Sequence, residues 1–141
     1  GFTRLFFLTT DCFFVRWAPL VPHPNVARLR EVARQAAMQS RRMHLPEVTG
    51  LHSFLELAGS PESAGDADCI GRVALAEPGG VAPSLRFPVA LVGPEGGWSE
   101  AELGNGLPTV GLGATVLRSE SAAVALGVLL GALRGGLVGP R

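Results

Sequence analysis

The residues best suited to chemistry lie in the stretch Leu91-Val92-Gly93-Pro94-Glu95-Gly96-Gly97-Trp98-Ser99-Glu100. Glycines, a proline and one carboxylate stand here between an apolar run, Phe87–Val92, and a helix start at Ser99. Glycine lacks Cβ, so a ligand can press against the main chain, and it permits positive φ where the chain turns sharply. Pro94 fixes its own φ and offers no N–H. A loop of this composition at the carboxyl end of a buried strand is where open α/β sheets bind ligands. It is not a P-loop, because no Gly-Lys-Ser/Thr follows, and it lacks the dinucleotide spacing G-x-G-x-x-G. Alone, a glycine cluster reads as a tight turn with nothing bound. Its neighbours decide the matter. A second glycine-ended strand, Pro108–Gly113, and the segment Leu117–Ala122 also offer exposed backbone N–H and C=O groups. Such groups suit the edge of an adenine and a ribose, which need main-chain hydrogen bonds and apolar walls more than charges.

The elements that must hold these loops follow from periodicity. Arg4–Leu8 reads as a buried strand closed by a turn at Thr9-Thr10-Asp11, and Val15–Pro24 is irregular around Trp17. Asn25 can cap a helix to Gln39 with Val26, Leu29, Val32, Ala33, Ala36 and Ala37 on one face. Its other face carries Arg28, Glu31, Gln35 and Arg42, a pattern usual for a solvated surface. After Pro46-Glu47-Val48 and Gly50, a short helix is expected over Leu51–Leu57. Ser60–Asp68 is a polar loop, Ile70–Ala76 a strand, and Glu77–Ser84 another loop. Ser99 as N-cap with Glu102 in the capping-box position starts a helix that Gly104-Asn105-Gly106 cuts short. An apolar helix, Ala122–Arg134, closes the chain. Strands alternating with helices predict an α/β fold with a mostly parallel sheet.

Composition narrows the class. The 141 residues suffice for one domain with a substantial core; 47% are apolar and only 17% charged, which excludes a disordered chain. Net charge is zero, so nothing pulls the whole molecule towards nucleic acid. All 12 basic residues are arginine, which suits bidentate phosphate contacts, although abundant Gly, Ala and Arg together read as a composition bias. Cys12 and Cys69 have no zinc spacing and form no disulfide framework, so free thiols in a reducing cytosol are expected. His23, His44 and His52 belong to no metal pattern. The tract Ala122–Leu133 is too short for a membrane span and no signal peptide is present, which predicts a cytoplasmic protein. The first residue is Gly1, which leaves open a longer parent chain.

Three motifs then carry a resemblance. Gly93-Pro-Glu-Gly-Gly-Trp-Ser-x-x-Glu102, Leu112-Gly-x-x-x-Leu-Arg-Ser-Glu-Ser-Ala122 and Ala36-Ala-Met-Gln-Ser-Arg-Arg-Met-His-Leu-Pro-Glu-Val48 stand in this order. Together they resemble the signature of the RsmE family, SPOUT-superfamily enzymes that methylate uracil N3 in small-subunit (16S) ribosomal RNA. The resemblance covers nearly the whole chain and implies a SPOUT-type α/β knot, with a deep trefoil knot near the C-terminus. It implies S-adenosylmethionine held by Leu91, Gly93, Pro94, Glu95, Gly96, Gly97, Leu112, Gly113, Leu117, Arg118, Ser121 and Ala122. It also implies a homodimer and a ribosomal RNA partner; no metal is expected, because the sequence holds no metal-ligand pattern. Departures from the family pattern are specific. Gly1-Phe2-Thr3 aligns just after the domain's usual first strand and helix, so that unit and the N-terminal PUA-like RNA-binding barrel are expected to be missing. Arg41 replaces a glycine, Gln35 a glutamate, Cys12 an arginine, and Ser121 a threonine whose hydroxyl it keeps.

Methyl transfer from a sulfonium is an in-line displacement, so positioning supplies most of what a protein can contribute. Uracil N3–H must lose its proton, which asks for a base or a stabiliser of the anion. The catalytic candidates are Glu120 as an acidic group at the knot and Arg118, which the family motif includes, with Arg118 and Arg42 as stabilisers or phosphate ligands; Arg41 and Arg42 are the candidate RNA contacts. Plainer readings stand beside these. Arg118 and Glu120 can form a local ion pair capping the last helix, with Ser119 or Ser121 as N-cap. Glu95 can tie down its own loop through backbone N–H groups, and Trp98 can be core rather than pocket wall. Two other functions remain in view: a cofactor-binding knotted dimer core inactive alone, and a SPOUT methyltransferase acting on transfer RNA. Arg28, Arg30, Arg34, Arg41 and Arg42 concentrate around one helix and its exit, which predicts a local basic strip that binds RNA weakly.

Overall fold

The computed structural model describes residues 4–11, 24–59 and 72–139. The expectations for Cys12, Trp17, His23, Cys69 and the Ser60–Asp68 loop lie outside these residues. The elements run β1 (Arg4–Thr9), α1 (Pro24–Gln39), β2 (Glu47–Ser53), α2 (Phe54–Gly59), β3 (Val73–Val81), β4 (Val89–Val92), α3 (Glu100–Leu103), β5 (Thr109–Val110) and α4 (Ser119–Arg134). All strand pairs are parallel, as the alternation of strands and helices predicts. They form two ladders: β1 with β2, and a three-stranded sheet in the order β4-β3-β5.

The central strand β3 organises the core because its side chains alternate between two faces. Val73 and Leu75 pack with Phe54 and Leu57 of α2, with Leu91, and with Trp98; Phe6 and Leu8 of β1 close this side. Ala74 and Ala76 face the other way, towards Val110 and towards Leu126 and Leu130 of α4. Small alanines there let the helix sit close to the sheet. Ala74 and Leu75 are both fully buried, so truncating Leu75 to alanine removes on the order of 2–5 kcal/mol of stability.

Strands β4 and β5 are shorter than the runs Phe87–Val92 and Pro108–Gly113, and three further boundaries differ from the sequence reading. Glu47–Ser53 is a strand, and the short helix starts only at Phe54. Ser53 initiates it, its Oγ accepting the Glu56 N–H while the Glu56 carboxylate accepts the Ser53 N–H. Those two bonds hold the Glu56 carboxyl below the usual carboxylate range. Strand β3 runs on to Val81, through residues expected to form a loop. Helix α4 starts three residues early, at Ser119.

The capping box at Ser99 forms as predicted. Ser99 Oγ accepts the Glu102 N–H, and the Glu102 carboxylate accepts the Ser99 N–H at 2.8 Å. Glu102 is 4% exposed, and its other carboxylate oxygen accepts the Asp11 N–H at 3.1 Å. Ser99 Oγ in turn donates to Asp11 Oδ2 at 2.8 Å. The turn after β1 is thereby tied to the start of α3, which helps join the two ladders. Gly104 ends α3 after one turn, and Asn105 Oδ1 accepts the Leu107 N–H to lead the chain back into β5.

Candidate functional site

Strand β4 ends at Val92, and the loop after it turns tightly, the Gly97 N–H donating to Pro94 O at 2.9 Å. Gly97 takes φ +75°, a conformation that glycine adopts without cost. Gly93 answers a different need. A Cβ there would lie 3.0–3.3 Å from the indole of Trp98, so glycine lets the ring lie directly against the main chain. Trp98 is buried among Phe54 and the β3 side chains, and its indole N–H donates to Ala76 O at 3.0 Å. It is both core and wall: its exposed edge faces a cavity at the carboxyl ends of β3, β4 and β5.

That cavity has a volume of about 340 Å³. The Gly93–Gly97 loop lines it on one side; Leu112, Gly113, Thr115, Val116 and Leu117 form a second wall, and Ser119 and Ala122 of α4 a third. Gly113 sits at φ +137°, again glycine's territory. Ser119 Oγ donates to Gly93 O at 2.8 Å, pinning the helix start to the first glycine loop. Among the residues picked out from sequence, Gly93, Pro94, Glu95, Gly96, Gly97, Leu112, Gly113, Leu117 and Ala122 meet on this cavity.

The rest lie elsewhere. Leu91 is buried in the core beneath the loop. Arg118, Glu120 and Ser121 are exposed at the start of α4 and are not among the cavity-lining residues. The capping readings for this segment do not survive: Arg118 occupies the N-cap position without a side-chain cap, and Ser119 spends its hydroxyl on Gly93. Arg118 and Glu120 form no ion pair with each other among the described residues. Glu95 is exposed and makes no hydrogen bond to the loop amides. Arg41 and Arg42 leave the end of α1, Arg41 in the left-handed region at φ 52°. Within the expected basic strip, Arg34 is committed to Glu31 at 2.7 Å and Arg30 donates to Val48 O at 2.9 Å. The Arg34 and Gln35 hydrogen bonds hold the Glu31 carboxyl down to about 2.

Sequence reasoning did not assign Ala76, Glu77, Pro78, Val92, Thr115, Val116 or Ser119 to the cavity. Glu77 and Pro78 come from β3, where the chain leaves the ladder. Their Pro-Gly-Gly continuation was visible in sequence, but it reads as a turn.

The arrangement suits a ligand with a flat apolar part and polar edges. Ala76, Val92, Trp98, Leu112, Leu117 and Ala122 supply apolar walls, and the glycine loops supply main-chain groups. Among the described residues, no group of His, Cys, Asp or Glu side chains could hold a metal ion, and no helix is long and apolar enough to cross a membrane.

Comparisons with known proteins agree with this geometry. Residues 1–131 match the RNA methyltransferase domain family. No curated protein matches the sequence closely enough to count as a relative. Among solved structures, a putative methyltransferase from Legionella pneumophila, in complex with S-adenosylmethionine, is 24% identical with a TM-score of 0.67; the match covers 92% of this chain and 53% of that one. A probable rRNA methyltransferase from Porphyromonas gingivalis is 22% identical with a TM-score of 0.70, over 94% of this chain and 56% of that one. Ribosomal RNA small subunit methyltransferase E from Neisseria gonorrhoeae, bound to S-adenosylmethionine, is 25% identical with a TM-score of 0.58, over 78% and 47%. The chain thus spans about half the length of the structures it resembles. With the matching family, the parallel α/β architecture and the paired glycine loops in hand, the chain belongs to the RNA methyltransferase domain family, with the fold of RsmE-like SPOUT methyltransferases.

Proposed function

We propose that the chain binds S-adenosylmethionine in the cavity at Gly93–Gly97 and serves methylation of uracil N3 in small-subunit (16S) ribosomal RNA. The observation that carries this reading is the cavity itself, at the carboxyl ends of parallel strands and walled by two glycine loops and apolar side chains. Its volume of about 340 Å³ falls within the range of small-molecule sites. Leu112, Leu117 and Ala122 would flank the adenine, and main-chain groups at Gly93–Gly97 and Gly113 would meet the polar edges. When bound, the cofactor supplies an electrophilic methyl group on a sulfonium. The protein's own part is to hold the ligand still and keep water off it, with Trp98 closing the floor and Ser119 fastening α4 to the loop. Arg118 and Glu120 adjoin the wall residues Leu117 and Ser119 from the solvent side, where an RNA base would arrive. In this proposal they are the catalytic groups, Arg118 stabilising the uracil anion and Glu120 accepting its proton. The trefoil knot belongs to the same reading.

A homodimer is part of the proposal. Val124 and Val128 of α4 are each 65% exposed, and they face an open apolar groove of about 530 Å³ that Leu5, Ala33, Ala36, Ala37 and Arg42 also line. An apolar face of this kind calls for a partner. Sedimentation should show a dimer at micromolar concentration; a monomer contradicts it. Arg41 and Arg42 are proposed as RNA contacts: Arg42→Ala should weaken RNA association and leave S-adenosylmethionine affinity unchanged.

The test of the reaction is methyl incorporation into unmodified small-subunit ribosomal RNA, followed by mapping of the modified atom. Methylation at uracil N3 supports the reading. Methylation of transfer RNA in its place supports the transfer-RNA alternative, and cofactor binding without any turnover supports an inactive knotted core.

A further inference from the structure

Glu77 owes its place on the cavity wall to a break in the sheet. Between Ala76 and Val81 the β3–β5 register jumps, both residues pairing with Val110. Glu77, Pro78, Gly79 and Gly80 therefore bulge out of the ladder, and bulges re-aim side chains next to functional sites. The bulge closes backbone against backbone. A Cβ on Gly80 would lie 2.7 Å from main-chain atoms of Thr109 and Val110, and one on Gly111 would lie 2.7 Å from Gly80 O. Gly79 turns the bulge at φ +83°. The outcome is that Glu77 and Pro78 join the lining of the cavity.

The charge on that lining is one-sided. Glu77 and Glu95 line the cavity, and among the described residues no Arg or His does. Glu77 is half-buried and has no hydrogen-bond or ion-pair partner among the described residues, although solvent-facing carboxylates elsewhere, such as Glu31 and Glu47, are paired. Its carboxylate is therefore not committed to a protein partner and remains available to a charge on an occupant of the cavity. S-adenosylmethionine carries a sulfonium, an ammonium and a carboxylate, a net single positive charge. The demethylated product, S-adenosylhomocysteine, lacks the sulfonium and is neutral overall.

We propose that Glu77 is a specificity-determining residue that makes the cavity prefer the sulfonium-bearing donor over its neutral thioether product. This inference rests on the reading that the cavity holds S-adenosylmethionine. Apolar walls and main-chain groups recognise the adenosine that donor and product share, so they cannot separate the two. A carboxylate on the wall of a partly enclosed cavity can, because it interacts with the one charge that differs. It also opposes anionic competitors such as nucleoside phosphates.

The test is calorimetric affinity of the chain for three probes, namely S-adenosylmethionine, S-adenosylhomocysteine and sinefungin, which carries an amine in place of the methylsulfonium. Glu77→Gln should weaken S-adenosylmethionine and sinefungin by roughly three- to fivefold, the size of a partly exposed charge pair. It should change S-adenosylhomocysteine by less than about twofold on the same scale. Glu77→Asp, which keeps the charge, should retain most of the preference, and added salt should narrow the gap between donor and product in the unaltered chain. Equal weakening of donor and product by Glu77→Gln, or no change in either, overturns the proposal. If the unaltered chain binds none of the three probes, the cofactor reading itself falls; if it binds all three without preference, only the charge selection does.

Discussion

Gly93→Ala isolates the contact on which the cavity floor depends. The added methyl would meet Trp98 Cε2 at 3.0 Å, Nε1 at 3.2 Å and Cδ2 at 3.3 Å. One side must give by a few tenths of an ångström, and the indole cannot do so cheaply. It is 8% exposed, packs against Phe54, and is pinned by its N–H bond to Ala76 O. The loop is fastened from the other side by Ser119 on Gly93 O. Overpacking of this kind costs about 1–3 kcal/mol. Removing a glycine from the unfolded chain returns about 0.4–1 kcal/mol. The difference is a loss of about 0.5–2 kcal/mol, or a melting temperature lower by about 2–8 °C for a domain of this size. Thermal melts at fixed protein concentration measure it, and the same melts with saturating S-adenosylmethionine should show a smaller ligand-induced rise than in the unaltered chain. Trp98→Phe removes the Nε1 corner of the ring, so Gly93→Ala should cost less in that background. An equal cost in both backgrounds, or a stabilising Gly93→Ala, would refute the steric reasoning.

Other consequences follow from single contacts. Ser119→Ala deletes the bond between α4 and the glycine loop and should cost about 1 kcal/mol in a denaturant melt, with a weaker cofactor affinity by calorimetry. Ser99→Ala breaks the capping box and the link to Asp11, and should lower stability by about 1–2 kcal/mol, read from the same melts. Arg34→Ala should raise the Glu31 carboxyl from about 2 back towards its ordinary 4.5, followed by NMR titration of the side chain. Because that carboxyl is depressed in the folded state, its contribution is present above 4.5 and is lost as pH falls towards 2; Arg34→Ala should remove that part of the acid sensitivity.

Local chemistry made the glycine loops and the capping box legible. Ser99 and Glu102 announce their own hydrogen bonds within one turn, and both form as the spacing requires. Strand β2 was hidden because Glu47–Ser53 carries Gly50 inside it and an exposed Leu51, so its alternation is weak and only pairing with β1 makes it a strand. The Glu77 bulge was hidden for a related reason. Pro78-Gly79-Gly80 has the composition of a turn, and the close approach of Gly80 to β5 depends on residues about thirty positions away. Ser119 and Ser121 are both possible caps in the sequence because hydroxyls are common at helix starts; the partner that Ser119 takes, Gly93 O, is distant in sequence and becomes available only when α4 docks on the loop. The apolar face foreseen on α1 is there, but only Ala37 of it is buried, with Leu29 and Val32 still exposed.

Titration calorimetry of the chain with S-adenosylmethionine asks whether the cavity between the glycine loops holds that ligand. Binding should be saturable with one site per chain, competed by S-adenosylhomocysteine and lost in variants that fill the loop. A ligand that binds only the folded state adds about 2.7 kcal/mol of stability at a hundredfold excess over its dissociation constant, so a raised melting temperature must accompany the heat. No heat of binding and no shift in melting temperature at millimolar ligand would mean that the cavity does not hold S-adenosylmethionine.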